Sequence, residues 1–178
     1  DPSFSSKSAS PSPDDFSKIF KQIKDDGYEK VIFIGMGSNL SSTIINSNIA
    51  EHHGLEVATI DSKTVTILEG LLVMYANDLL NSGADFDTIV KKLNKAVGNS
   101  IAIGWINSLR YLKAGGRLGK AASKVSAVLN FKPFMSVDGN GEFDLYKLKI
   151  SKEKSYIETV KKVKEELAGK ENYYMAYL

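Results

Sequence analysis

The segment Lys30-Val31-Ile32-Phe33-Ile34-Gly35-Met36-Gly37 constrains the fold more than any other stretch of the chain. Its apolar residues run almost without interruption instead of alternating with polar ones. A strand that is apolar in both directions needs cover on both faces, which is the condition of a parallel sheet lying between helices. The flanks agree. Upstream, Phe16, Ile19, Phe20 and Ile23 recur at helical spacing with Lys and Asp on the other face. Ser12 or Asp14 is the expected cap of that helix, Pro13 suits its first turn, and Asp25-Asp26-Gly27 ends it. Downstream, SNLSSTIINSNIAEHHG is expected to turn off the strand, start a second helix near Leu40 or Ser41 and stop at Gly54. A second strand, LEVATID, precedes a long buried helix that ends near Gly83. Asp85 then caps a fourth helix, whose face is Phe86, Ile89, Val90, Leu93 and Val97. Strand, helix, strand, helix in this order is the βαβ pattern.

After Gly98-Asn99 the pattern changes. IAIGWI reads as a strand, NSLRYLKAGGRLGK as a short helix stopped by a glycine pair, and ASKVSAVLN as a further helix. KPFMSVDGNGEFDLYKLKI reads as a hairpin turning at Asp138-Gly139-Asn140-Gly141. A Lys- and Glu-rich helix, KSYIETVKKVKEELAG, leads into YYMAYL, read as a strand. The expected class is α/β: a parallel-sheet α/β lobe over residues 1–97 and a mixed α+β lobe over 98–178. Both lobes are expected to be incomplete: two strands make too small a sheet for the first, and the second ends in a segment read as a strand with nothing after it.

Composition narrows the function. A net charge of +2 offers no basic footprint for nucleic acid. The chain has no cysteine, which removes disulfides, thiolate metal sites and cysteine nucleophiles and suits a reducing cytoplasm. No run is apolar enough to span a bilayer.

The strongest local site is Gly37-Ser38-Asn39-Leu40-Ser41-Ser42-Thr43, just past the carboxyl end of a parallel strand. Ligands of open α/β sheets bind there, and a helix N-terminus favours an anion. Hydroxyls of Ser38, Ser41 and Thr43 can add hydrogen bonds; plain helix capping is the competing reading. The loop lacks the lysine ending of a phosphate-binding P-loop, and Gly35 with Gly37 lacks the third glycine of a dinucleotide fingerprint. The serines of SFSSKSASPSP are either a second polar contact or a solvated loop. Arg117, beside flexible glycines, suits a carboxylate or phosphate, or else an ion pair or helix C-cap. His52 and His53 have no metal-ligand spacing and read as a solvated helix end. Asp61-Ser62 reads as a cap or turn. No Gly-x-Ser-x-Gly elbow with a later histidine base occurs. No catalytic residue and no metal ligand is assigned.

Five blocks in order resemble the DegV family. Ser8-Ala9-Ser10-Pro11-Ser12-Pro13 resembles its Thr-Ser-Gln-Pro-Ser-Pro block, and Gly37 to Thr43 resembles its Ser-Ser-x-Leu-Ser-Gly-Thr motif. Ile60-Asp61-Ser62, followed by Gly70, resembles its Ile-Asp-Ser strand end and Ser-Met-Gly helix start. Leu109 to Gly119 is similar to its Leu-x-Tyr-Leu-x-x-Gly-Gly-Arg-Ile-Gly element, and Asn130-Phe131-Lys132-Pro133-Phe134 to its Ile-Lys-Pro-Ile segment.

The resemblance implies a carrier, not an enzyme, that binds one long-chain fatty acid such as palmitate or oleate between two domains, without cofactor or metal. It implies Ser38 as the main carboxylate donor, assisted by Ser8 in the place of a threonine, with Arg117 near the head group or pinning the domains. Each buried CH₂ of the tail would contribute about 0.8 kcal/mol, so an apolar tunnel would dominate affinity. The expected partners are the fatty acid, a fatty-acid kinase, and a companion segment completing the fold, since the chain resembles the central portion of the family. The alternative is a small-molecule enzyme using the same anion-binding loop. Gly37, Ser42, Ala9, Ser10, Ile44 and Lys149 depart from the family pattern and bear on head-group geometry and chain-length preference. They leave Ser38 and Thr43 in place.

Overall fold

Side chains of a strand alternate between faces, and the run 30–35 uses both. A computed structural model of the chain describes residues 8–106, 108–119, 132–149 and 152–177. In it, β1 (Lys30–Gly35) and β2 (Glu56–Asp61) pair in parallel, with Lys30 opposite Glu56 and Gly35 opposite Asp61. Val31 and Val57 pack against Phe16, Phe20 and Ile23 of α1 (Pro13–Asp25) on one face, together with Ala50 and Leu55. Ile32, Ile34 and Ile60 pack on the other face against Leu72 and Leu79 of α3 (Ile67–Asn81) and Ile89 and Leu93 of α4 (Phe86–Gly98). The Phe33 ring meets Phe16 edge-on at 5.1 Å. Double-sided burial is therefore what the continuous apolar run encodes.

The helix ends follow local chemistry. Ser12 caps α1 through a capping box, its Oγ accepting from Asp15 N at 3.2 Å while Asp15 accepts from Ser12 N at 2.8 Å. Asp85 caps α4, accepting from Thr88 N at 2.9 Å and Thr88 Oγ1 at 2.7 Å. Three expectations change. The second helix, α2 (Thr43–Ile49), begins later and ends earlier than its sequence suggests, because the chain at Ala50 turns extended. His52 and His53 thus lie beyond it, where His52 Nε2 donates to Ser47 O and its ring meets Phe20 edge-on. His53 Nε2 is hydrogen-bonded to Ser17 Oγ at 2.9 Å, so the pair fastens this turn to α1. Helix α3 is buried along one side only, since Val73, Met74 and Leu80 are exposed.

These elements, residues 9–100, form one compact unit with residues 139–141; the remaining described residues form a second. The second unit holds an antiparallel sheet in the order β3-β4-β5, with β3 (Ala102–Trp105), β4 (Lys132–Val137) and β5 (Phe143–Lys149). Phe134, fully buried, stacks on Trp105 at 4.8 Å and meets Tyr146 edge-on at 5.2 Å. The Trp105 indole N–H donates to Thr159 Oγ1 of α6 (Lys152–Leu167) at 3.2 Å. The hairpin reading holds, and α5 (Arg110–Ala114) is the short helix before the glycine pair. Residues 173–177, read as a strand, are in neither helix nor strand. The helix expected over ASKVSAVLN lies outside the described residues. Among the described residues no helix is long and apolar enough to cross a membrane.

Leu93 is fully buried beneath the sheet. Leu93→Ala is expected to lower stability by about 2–5 kcal/mol, read as a reduced urea midpoint. The Thr88 backbone N–H and hydroxyl hold the Asp85 carboxyl below its ordinary value of 3.8. A depressed carboxyl stabilises above its unfolded value and loses that contribution as pH falls through the folded one. Asp85→Ala should therefore lower the melting temperature at neutral pH, with the gap to wild type closing under acid.

Candidate functional site

Both parallel strands end at the same level, Gly35 opposite Asp61, so the segments that follow them leave the sheet side by side. Backbone pairing continues past the strands: Ser62 N donates to Gly35 O at 3.1 Å and Gly37 N to Thr64 O at 2.9 Å. The approach is close at position 37. A Cβ there would lie 3.1 Å from the Lys63 carbonyl carbon and the Thr64 nitrogen, both backbone atoms that cannot swing aside.

Across this seam, Asp61 gathers three donors. Its Oδ2 accepts from Ser38 Oγ at 2.6 Å, and its Oδ1 accepts from Ser38 N at 3.1 Å and Lys63 N at 3.0 Å. The turn role read for Asp61 is present in the Lys63 bond. Its hold on Ser38 is new, and it changes the expectation for Ser38, whose hydroxyl proton points at Asp61 and not outward. No local signal marks that pairing, because the two residues are 23 positions apart and meet only through strand register.

A second chain of hydroxyls lies beside the first. Ser10 Oγ is 3.0 Å from Ser41 Oγ, which is 2.7 Å from Thr43 Oγ1 and accepts from Thr43 N at 3.3 Å. Asn46 Nδ2 donates to Pro11 O at 2.7 Å, so the segment before α1 is tied to the loop twice. The serine of the opening segment that reaches this loop is Ser10. Ser8 is exposed and groups with the second unit, as does Arg117. Arg117 is exposed and its Nη1 donates to Gly115 O, the C-cap carbonyl of α5, at 2.5 Å. Ser38, Ser41 and Thr43 therefore lie on one loop of one unit, with Ser41 and Thr43 in contact and Ser38 bonded to Asp61. Ser42, at the start of α2, makes no side-chain cap, and the seven-residue helix offers a shorter dipole than its sequence pattern implies.

The segment leading into α3 is unusual in three ways. Lys63 and Thr66 have φ of 50° and 64°, a region that a β-branched residue such as Thr66 seldom enters. Thr64 is buried, and its Oγ1 has no hydrogen-bond partner among the described residues. Glu69, in the first turn of α3, has its carboxyl raised above the ordinary 4.5 by burial. Strained backbone and an unsatisfied hydroxyl beside a polar loop are features of functional sites. Among the described residues no cluster of three metal-ligating side chains occurs.

Comparison with known proteins follows the same lines. The model of the DegV family, described as an uncharacterised protein family, matches residues 4–178. A DegV domain-containing protein of Clostridium acetobutylicum is 33% identical over 142 residues, which are 79% of this chain and 50% of the relative. A fatty acid-binding protein of Thermotoga maritima is 27% identical, over 90% of this chain and 56% of the relative. The crystal structure of a fatty acid binding DegV family protein from Streptococcus agalactiae superposes with a TM-score of 0.84 at 27% identity, covering 92% of this chain and 58% of that one. The chain spans about half the length of the curated relatives it matches.

Because a Cβ at position 37 meets backbone while none at Gly70 meets anything within 4 Å, the two glycines should respond oppositely to alanine. Gly37→Ala is expected to cost about 1–3 kcal/mol by forcing the two segments apart. Gly70→Ala, within α3, is expected to stabilise by about 0.5–1 kcal/mol. Chemical unfolding of both variants checks the pair.

Proposed function

The chain belongs to the DegV family, and on that premise we propose that it binds one long-chain fatty acid as a carrier, its carboxyl head group at the Ser38 loop. The observation that carries this reading is a hydroxyl-rich loop holding Ser38, Ser41 and Thr43 just beyond the carboxyl ends of two parallel strands, with Ser38 on Asp61 and Ser41 on Thr43. Hydroxyls and the first amides of α2 can satisfy a carboxyl group without a buried cation, which would itself be costly. The two relatives named for fatty acid binding support the ligand class. The tail dominates affinity, at about 0.8 kcal/mol per buried CH₂. A fatty-acid kinase as protein partner belongs to the same reading.

An enzyme acting at the same loop needs a general base within about 3 Å of the reacting atom. Asp61 meets that distance to Ser38 Oγ, at 2.6 Å, so one experiment should separate the two readings. Native mass spectrometry of the purified protein offered palmitate or oleate is expected to show one bound acid per chain, released intact on denaturation. Ser38→Ala is expected to lose it. A protein that stays empty refutes the carrier, and a mass increment that survives denaturation favours the enzyme.

A further inference from the structure

Ser38 has one hydroxyl proton, and the structure shows where it goes: to Asp61 Oδ2, at 2.6 Å. What Ser38 Oγ turns away from Asp61 is therefore a lone pair, which accepts and does not donate. An ionised carboxylate arriving there finds the wrong partner. It also finds a like charge, since an oxygen hydrogen-bonded to Ser38 Oγ would lie within about 5 Å of Asp61 Oδ2 by ordinary hydrogen-bond lengths. Turning the hydroxyl outward does not resolve this. Asp61 Oδ1 is occupied by the amides of Ser38 and Lys63, and Oδ2 of this half-buried carboxylate would lose its Ser38 donor.

We propose that binding of a fatty acid at Ser38 takes up one proton, which the ligand carboxyl and Asp61 share. This rests on the fatty-acid reading of the site and deepens it. Two carboxyls this close do not both ionise without cost, and a single proton supplies the missing donor. The balance is simple: ligand carboxylate, Asp61 carboxylate and one solvent proton give a neutral carboxylic acid and one remaining negative charge. That acid O–H donates to Ser38 Oγ while Ser38 continues to donate to Asp61, or the proton resides on Asp61 and Ser38 turns to the ligand. Either arrangement keeps Ser38 Oγ and Asp61 Oδ2 paired.

The surroundings contain little else that would titrate in their place. Residues 36–50, which form the loop and α2, contain no ionisable side chain, and neither do residues 139–141. On the segment after β2 the ionisable groups are Lys63, whose side chain is exposed, and Glu69, whose pKa is raised above 4.5 by burial. On the segment tied to the loop through Ser10 they are Asp14, paired with Lys18 at 2.6 Å, and Asp15, held ionised by Ser12. Asp61 is the carboxylate bonded to Ser38.

The test is calorimetric titration of the whole chain with dodecanoate, which stays monomeric at working concentrations, at pH 7.5 in phosphate and in Tris. The difference in heat between buffers of unlike ionisation enthalpy counts protons directly. Wild type is expected to take up close to one proton per ligand, equivalent to about a tenfold loss of affinity per pH unit. Asp61→Asn, which keeps an acceptor for Ser38, is expected to bind with uptake near zero and several-fold more tightly at this pH. Saturable wild-type binding with no proton uptake overturns the proposal and leaves the fatty-acid reading intact. No saturable binding overturns both. If Asp61→Asn does not fold, the two-buffer measurement on wild type alone still decides.

Discussion

The site depends on the parallel register that sets Gly35 opposite Asp61. With the two strands ending level, the segments that follow can pair with each other through Gly37 and Thr64, and the Asp61 carboxylate comes within reach of Ser38. A slip of one residue would send every side chain of one strand to the opposite face. It would separate Ser38 from Asp61 and bring Val31 or Val57, whichever strand slips, out from under α1. Core and site therefore share one constraint. Glycine at 37 eases it, because a Cβ there would come within 3.1 Å of the facing backbone.

Much of this was legible along the chain. The unbroken apolar run of β1 requires helices on both faces, and α1 and α4 supply them with apolar positions at helical spacing. Ser12 and Asp85 announce their caps because N-capping is a local interaction, settled within three residues. The turn after Asp138 is similarly local, with Glu142 N donating to Asp138 Oδ1 at 3.0 Å. Helix α2 was overestimated because its sequence continues apolar and polar residues past Ile49, while the chain there is drawn off by contacts with α1. The histidines were misread for the same reason. Their partners, Ser17 and Phe20, are more than thirty residues earlier.

The polar loop shows the same division. That a Ser- and Thr-rich segment beyond a parallel strand is a candidate place for a ligand follows from the strand's burial and the sheet's direction. Which way its hydroxyls point does not. Ser38 reads as a donor to an incoming anion until Asp61 is seen to hold its proton. Ser10, not named as a site residue, reaches Ser41, whereas Ser8 groups with another unit.

By itself, then, the sequence determined the class of fold, the order of the elements over residues 13–98 and the cap of α4, and it narrowed the cap of α1 to Ser12 or Asp14. Those properties come from periodicity and from interactions a few residues long. Tertiary structure alone decided the partner of Ser38, the close backbone approach at Gly37, the strain at Lys63 and Thr66 and the true end of α2. Each depends on segments distant in sequence being brought to within hydrogen-bond or van der Waals distance by strand pairing and helix packing. A linear pattern carries no record of that distance.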